Sequence, residues 1–379
     1  MNMLKTVEGS LAAAEVAKNC EPEVVACYPI TPSTHIAEDL EEFYSNNELK
    51  SFIAVESEFS AISALIGGSA AGGRTFTATS SQGLALMHEA LFCASGMRLP
   101  IVMAVANRAL SAPLNIWNDH QDSVSERDSG WIQLYCESNQ EVVDTIPQAF
   151  KIAEKVMLPV MVCMDGFYLT HAVEQIDVPE KELIAKFLPK FKPALRLDSA
   201  APLTIGAYAS PGIYEKFRED VDKDLTAAKE VISETATQWG DLTNRNYGNG
   251  LWEEYELGDA EVVLVAMGSV CGNIKVVIDE LRKKGKKVGL LRLKSLRPFP
   301  REITKVLAAK KYVGIFEKAL SVGGYPPLFA DMSAAMLRSE LCPTISSFIG
   351  GLGGKDVTIW TVRKMFETLE KGESVRQYV

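Results

Sequence analysis

Apolar runs with no polar alternation, each followed by a helix-like stretch, constrain this chain more than any other feature. Over the first 165 residues strand-like runs fall at 24–28, 52–55, 75–79, 101–106 and 159–164. Helical patterns fill the gaps at 33–44, 60–71, 84–94 and 148–155. A strand that is Val- and Ile-rich on both faces is buried on both faces, and strands separated by helices run parallel. The expectation is an α/β fold with a doubly wound parallel sheet. The alternation lapses from about 172 to 255, where the sequence is polar and Pro-punctuated, with one long helix expected over about 213–238. A second block follows, with strands at 262–266, 288–293, 312–316 and 345–348 and helices at 273–282, 301–308 and 328–337. The predicted division is an α/β domain over 1–171, a connector over 172–255 and a smaller α/β domain over 256–379.

Open α/β sheets bind ligands beyond the carboxyl ends of their strands. The first strand ends in Tyr28-Pro29-Ile30-Thr31-Pro32, whose two prolines stop further ladder pairing. Thr31 is expected to cap the next helix, with Pro32 at its first helical position. The second strand ends in Glu56-Ser57-Glu58 and opens a helix rich in Ala and Gly. A Glu there suits the helix dipole as a plain cap. The run of small residues behind it calls for a flat ligand or a close backbone approach.

A long connection over 107–131 holds Arg108, Trp117, Asn118, Asp119, His120, Asp122, Arg127 and Asp128. Loops of this length are functional or disordered, and Ile116, Trp117, Trp131 and Ile132 argue for burial. Arg108, just past a buried strand, is placed to hold a carboxylate bidentately, or to pair with Asp119 or Asp122. His120 and Asp122 are either a catalytic pair or structural neighbours. Ser80-Ser81-Gln82-Gly83 reads equally as an anion cradle or a helix cap. The basic run at 282–287 matches an ordinary helix C-terminus, and Gly350-Gly351-Leu352-Gly353-Gly354 lacks dinucleotide spacing.

A net charge of −10 argues against a nucleic-acid surface, and no apolar stretch approaches the roughly 20 residues of a membrane span. Met1-Asn2-Met3-Leu4-Lys5 is too short and polar for a signal peptide, so a cytoplasmic location is expected. Seven scattered cysteines form no C-x-x-C pair, which leaves no spacing for an iron–sulfur cluster on this chain. Four histidines with no H-E-x-x-H make a protein-held catalytic metal unexpected.

YPITPST at 28–34 and ESEFSAISALIGGSAAGGRTFTATSSQGLALMHEALFCASGMRLPIVM at 56–103 closely resemble the alpha subunits of the 2-oxoacid:ferredoxin oxidoreductases, most of all the multi-subunit pyruvate enzymes. NRALSAPLNIWNDHQDSVSERDSGWIQLY at 107–135 and PVMVCMDGFYLTH at 159–171 continue the likeness, with GSVCGN at 268–273 and GGLGGKDVT at 350–358 matching more weakly. The resemblance implies a thiamine-diphosphate pyrimidine-binding domain followed by a smaller transketolase-C-terminal-like domain. It implies that Glu58 hydrogen-bonds N1′ of the aminopyrimidine, with Glu56 the weaker candidate. Thr31 and Arg108 fall on the positions that contact the substrate carboxylate and carbonyl region, and Tyr28, Pro29 and Ile30 line the cofactor. Diphosphate, Mg²⁺ and [4Fe-4S] clusters would come with beta, gamma and delta subunits, which pass electrons to ferredoxin while coenzyme A takes the acyl group. The implied reaction is reversible conversion of pyruvate and coenzyme A to acetyl-CoA and CO₂. Alternatives are another 2-oxoacid, such as 2-oxoisovalerate or 2-oxoglutarate, or a non-catalytic structural subunit. Phe59 departs from the family's frequent His after the Glu, and GGSAAGG departs at 67–73.

Overall fold

The computed structural model describes residues 4–337, 339 and 341–379, so the reading of Met1 to Met3 lies outside the described residues. The larger sheet has seven strands. Their order is Ser295–Arg297, Ile132–Tyr135, Val160–Asp165, Ile101–Asn107, Thr75–Thr79, Val24–Cys27 and Phe52–Ala54. All pairs are parallel except at Ser295–Arg297, which lies antiparallel against Ile132–Tyr135.

The central strands are buried on both faces because their residues feed two different cores in alternation. Val102, Ala104 and Ala106 pack with the helices Gly9–Asn19, Thr34–Ser45 and Asn139–Val156. Ile101, Met103 and Val105 pack with Glu58–Ala70, Ser81–Leu86 and His88–Gly96. This is the doubly wound arrangement that the unalternating runs require. The second core continues into Val263, Val265, Leu291 and Ile315, so it also fills the space between the two sheets.

The smaller sheet has six strands, in the order Arg376–Tyr378, Thr344–Ile349, Tyr312–Glu317, Val262–Ala266, Val288–Leu293 and Trp252–Tyr255. Only Trp252–Tyr255 is antiparallel. Its outer face is covered by Val270–Arg282 and Ile359–Glu370. Between the sheets the chain forms the strand Val173–Ile176, paired antiparallel with Lys5–Glu8, and the 33-residue helix Pro211–Thr243. That helix buries Ala228, Ile232 and Trp239 against the first core.

Thr31 does not cap the following helix. Thr34–Ser45 begins three residues later with Ser33 at its N-cap. Thr31 and Pro32 are instead the middle of a turn closed by Ser33 N–H on the Ile30 carbonyl at 2.8 Å, and the Ser33 hydroxyl donates to the same oxygen at 2.8 Å. Pro32 therefore lies outside the helix.

Candidate active site

From Val24–Cys27 the chain moves outward to Phe52–Ala54 and then returns to Thr75–Thr79 on the other side of Val24–Cys27. This reversal opens a crevice at the carboxyl ends of the strands, the place where such sheets take ligands. The turn 28–32, Glu58, the segment from Ser80 to Gly83 and Arg108 all follow directly from those carboxyl ends.

Glu58 is the first residue of its helix, and the Ser57 hydroxyl before it caps Ser60 N–H at 3.3 Å. Only 5% of Glu58 is exposed, and burial raises its pKa above the ordinary carboxyl range against the pull of its own backbone amide. It has no ion-pair partner among the described residues. Gly83 faces it so closely that a Cβ there would lie 2.4 Å from Oε1. Glu56, by contrast, is exposed and takes a hydrogen bond from Ser60, which lowers its pKa. The small residues behind Glu58 serve a close approach: a Cβ on Gly68 would meet Val24 side-chain atoms at 3.0 and 3.3 Å.

Arg108 is 6% exposed, and burial lowers its pKa. Nε donates to the Asn115 carbonyl at 2.9 Å and Nη1 to the Thr31 carbonyl at 2.9 Å. Neither Asp119 nor Asp122 pairs with the guanidinium. Among the described residues it has no carboxylate partner at all. The Thr31 hydroxyl likewise makes no hydrogen bond to the described residues. Tyr28 and Pro29 are exposed at the mouth of the turn and Ile30 is half-buried.

His120 and Asp122 do not form a pair. His120 Nε2 lies 2.7 Å from Asp165 Oδ1, across 45 residues of sequence. Asp165 also accepts from Lys318 Nζ at 2.9 Å and from the Ser269 hydroxyl at 2.5 Å, which ties the first sheet to the second. Burial opposes its ionisation, yet Lys318 and His120 outweigh it and hold the carboxyl well below its usual range. Asp122 is buried in a cage of donors: Ser81 N–H at 2.9 Å, Arg108 N–H at 2.9 Å, Asn107 Nδ2 at 2.8 Å and Ser123 N–H at 2.7 Å. Burial pushes its pKa up to about 6. The anion that occupies the turn at Ser81 is thus Asp122 itself.

The remaining motifs are structural. Gly353 N–H donates to Asp119 at 3.0 Å and Asn115 Nδ2 to the Gly353 carbonyl at 3.0 Å. A Cβ on Gly354, whose φ is +83°, would lie 2.3 Å from the Trp117 Cβ. The glycine run lets the loop of the second sheet lie flat on the loop that carries Arg108. In the basic run, Lys286 pairs with Glu370 at 3.0 Å and Lys287 with Glu261 at 3.0 Å. Among the described residues no helix is long and apolar enough to cross a membrane.

The sheet order and its switch point define a doubly wound α/β protein with its ligand site beyond the carboxyl ends of the strands. A family model described as the thiamine-diphosphate-binding domain of pyruvate flavodoxin/ferredoxin oxidoreductase matches residues 15–237, and one for pyruvate:ferredoxin oxidoreductase core domain II matches 260–362. The chain belongs to the pyruvate:ferredoxin oxidoreductase family of oxidoreductase subunits. It is 51% identical over 376 residues to the pyruvate synthase subunit PorA of Methanocaldococcus jannaschii, covering 98% of this chain and 96% of that one. The ketoisovalerate oxidoreductase subunit VorA of Pyrococcus horikoshii is 42% identical, covering 97% of this chain and 94% of that one. Among solved structures, the 2-oxoglutarate:ferredoxin oxidoreductase of Magnetococcus marinus superposes with a TM-score of 0.72 at 21% identity, over 96% of this chain and 65% of that chain. A split-gene transketolase superposes at 0.56 with 11% identity, covering 97% of this chain and 98% of that chain, a likeness of fold alone.

Proposed function

We propose that this chain is the alpha subunit of a multi-subunit pyruvate:ferredoxin oxidoreductase and supplies the pyrimidine half of a thiamine diphosphate site. Residues 1–171 form the pyrimidine-binding domain, 172–255 the connector, and 256–379 the transketolase-C-terminal-like domain. One observation carries the reading: a buried carboxyl, Glu58, and a buried guanidinium, Arg108, lie at the same end of one sheet, and neither has an ion-pair partner among the described residues. Unpaired buried charges are costly, so both await a ligand.

The residues fit the cofactor. Glu58 offers a carboxyl with a raised proton affinity, as a group that shares a proton with a ring nitrogen requires. When bound, thiamine diphosphate supplies the carbon nucleophile and the electron sink for decarboxylation. Glu58 would hold the N1′ proton, with Tyr28, Pro29 and Ile30 along the ring. Arg108, held flat by the Thr31 and Asn115 carbonyls, keeps guanidinium N–H groups for the carboxylate of a 2-oxoacid. The Thr31 hydroxyl, released from any capping duty, faces the carbonyl region of the same substrate. The Arg108 contact binds the 2-oxoacid and sets its orientation before CO₂ leaves.

Diphosphate, Mg²⁺ and [4Fe-4S] clusters belong to the beta, gamma and delta subunits on this reading, with ferredoxin as electron acceptor, coenzyme A as acyl acceptor and the cytoplasm as location. The test is the assembled complex mixed anaerobically with coenzyme A and one 2-oxoacid at a time, following cluster absorbance. Pyruvate should bleach the clusters fastest. Faster bleaching by 2-oxoisovalerate or 2-oxoglutarate would move the substrate, and turnover by this chain alone would contradict the shared site.

A further inference from the structure

Glu8, His35 and His171 come together from three separate segments, and each offers one ligand-type atom, all within 4.8 Å of one another. Glu8 ends the strand Lys5–Glu8, His35 is in the first turn of Thr34–Ser45, and His171 precedes the strand Val173–Ile176 that pairs with Lys5–Glu8. We propose that Glu8, His35 and His171 form a binding site for one divalent transition-metal cation of the zinc class. The site lies outside the crevice that holds Glu58 and Arg108.

Two imidazoles and one carboxylate are the donor set of three-ligand sites that leave a position for water. His35 Nδ1 already lies 2.7 Å from Glu8 Oε1, and the two imidazole rings stand 4.9 Å apart, centroid to centroid. Tetrahedral bonds of about 2.0–2.1 Å place ligand atoms roughly 3.4 Å apart, so closure needs side-chain shifts of about 1 Å. His171 is oriented by the Thr170 hydroxyl, 2.7 Å from Nδ1, which is itself fixed by Phe167 N–H at 2.8 Å. Glu38 and Asp39 add negative charge beside His35. Binding replaces the Glu8–His35 hydrogen bond, with Nδ1 of His35 free of its proton and the ring proton on Nε2.

The cation would brace the wall of the site. His171 packs on Phe167 at 4.7 Å, and Phe167 on Trp117 at 4.6 Å, in the loop whose Asn115 carbonyl holds Arg108. His35 belongs to the helix that follows the Thr31 turn.

The test uses the full chain, stripped with a chelator, with its exposed thiols removed as C93S/C342S. It is titrated with Zn²⁺ by calorimetry and with Co²⁺ by visible absorption. One Zn²⁺ per chain should bind saturably. His35→Gln and His171→Gln should each weaken binding about tenfold or more. Glu8→Gln, which keeps a hydrogen-bonding group beside His35, should do the same and serves if either His variant fails to fold. Absence of saturable binding at one per chain, or equal affinity in the variants, would leave only a Glu8–His35 ion pair and overturn the proposal.

Discussion

Arg108 Nη1 donates to the backbone carbonyl of Thr31 at 2.9 Å, so the guanidinium and the turn at the end of the first strand are held as one unit. The bond spans 77 residues and joins two strands that are not neighbours in the sheet, with Thr75–Thr79 between them. It leaves the cation facing the crevice and assigns the Thr31 backbone, not its hydroxyl, to the scaffold.

Arg108→Lys keeps the charge and loses the planar fork. A charge-assisted hydrogen bond contributes about 1.5–3 kcal/mol, so kcat/KM for the 2-oxoacid should fall on the order of 10- to 100-fold, mainly through KM. Steady-state kinetics of the assembled complex checks this. An unchanged KM would remove Arg108 from the substrate.

Gly83→Ala tests the placement of Glu58. Its Cβ would meet Glu58 Oε1 at 2.4 Å and Cδ and Cγ at 2.7 Å, so the carboxyl arm must swing away as a whole. The displaced carboxyl should lose its alignment, with turnover falling on the order of 100-fold in a complex that still assembles. Normal turnover would contradict the placement of Glu58 against this glycine.

Glu141 and Arg292 join the two sheets through a buried pair, Nη1 to Oε2 at 2.7 Å. Burial raises the pKa of Glu141, but the Arg292 and Lys294 charges outweigh it and bring the carboxyl to about 2, from 4.5. A carboxyl depressed by folding stabilises above its unfolded pKa, and that stability is lost as pH falls through the folded value. The contribution is therefore complete above about 4.5 and disappears towards 2. Glu141→Gln should cost about 3 kcal/mol at neutral pH, near the lower end for a broken buried pair, because Glu253 still accepts from Arg292 at 2.6 Å. Denaturant unfolding at neutral pH and near pH 3 should find a smaller gap at the lower pH. A gap independent of pH would contradict the assignment.

The legible parts of the fold are those where one physical signal acts alone. The strands Thr75–Thr79, Ile101–Asn107 and Val160–Asp165 are buried along their whole length and stand within a residue of where the sequence places them. Ile132–Tyr135 is hidden because Gln133 interrupts it, buried in the sheet with Nε2 on the Ser123 carbonyl at 2.6 Å. Asn139–Val156 extends well before the expected 148–155 because Pro147 reads as a breaker, whereas the helix tolerates it and starts from a Ser138 cap on Glu141 N–H at 3.2 Å. Ser295–Arg297 adds to the first sheet from the far part of the chain, which no local pattern announces. In the site, Glu58 and Arg108 are legible as charges at strand ends. The partner of His120 is not, since Asp122 is near in sequence and Asp165 only in space. Glu8, His35 and His171 carry no motif spacing, and only the fold gathers them.

Glu58→Gln in the assembled complex tests the central claim most directly, by pyruvate-dependent ferredoxin reduction in the presence of coenzyme A. The amide preserves size and polarity but cannot exchange a proton as the carboxyl does. Turnover should fall by about 10²–10⁴-fold, the span of general acid–base catalysis, with the complex still assembled and thiamine diphosphate still bound. Turnover equal to that of the unaltered complex would contradict the catalytic role of Glu58 and leave this chain a structural subunit.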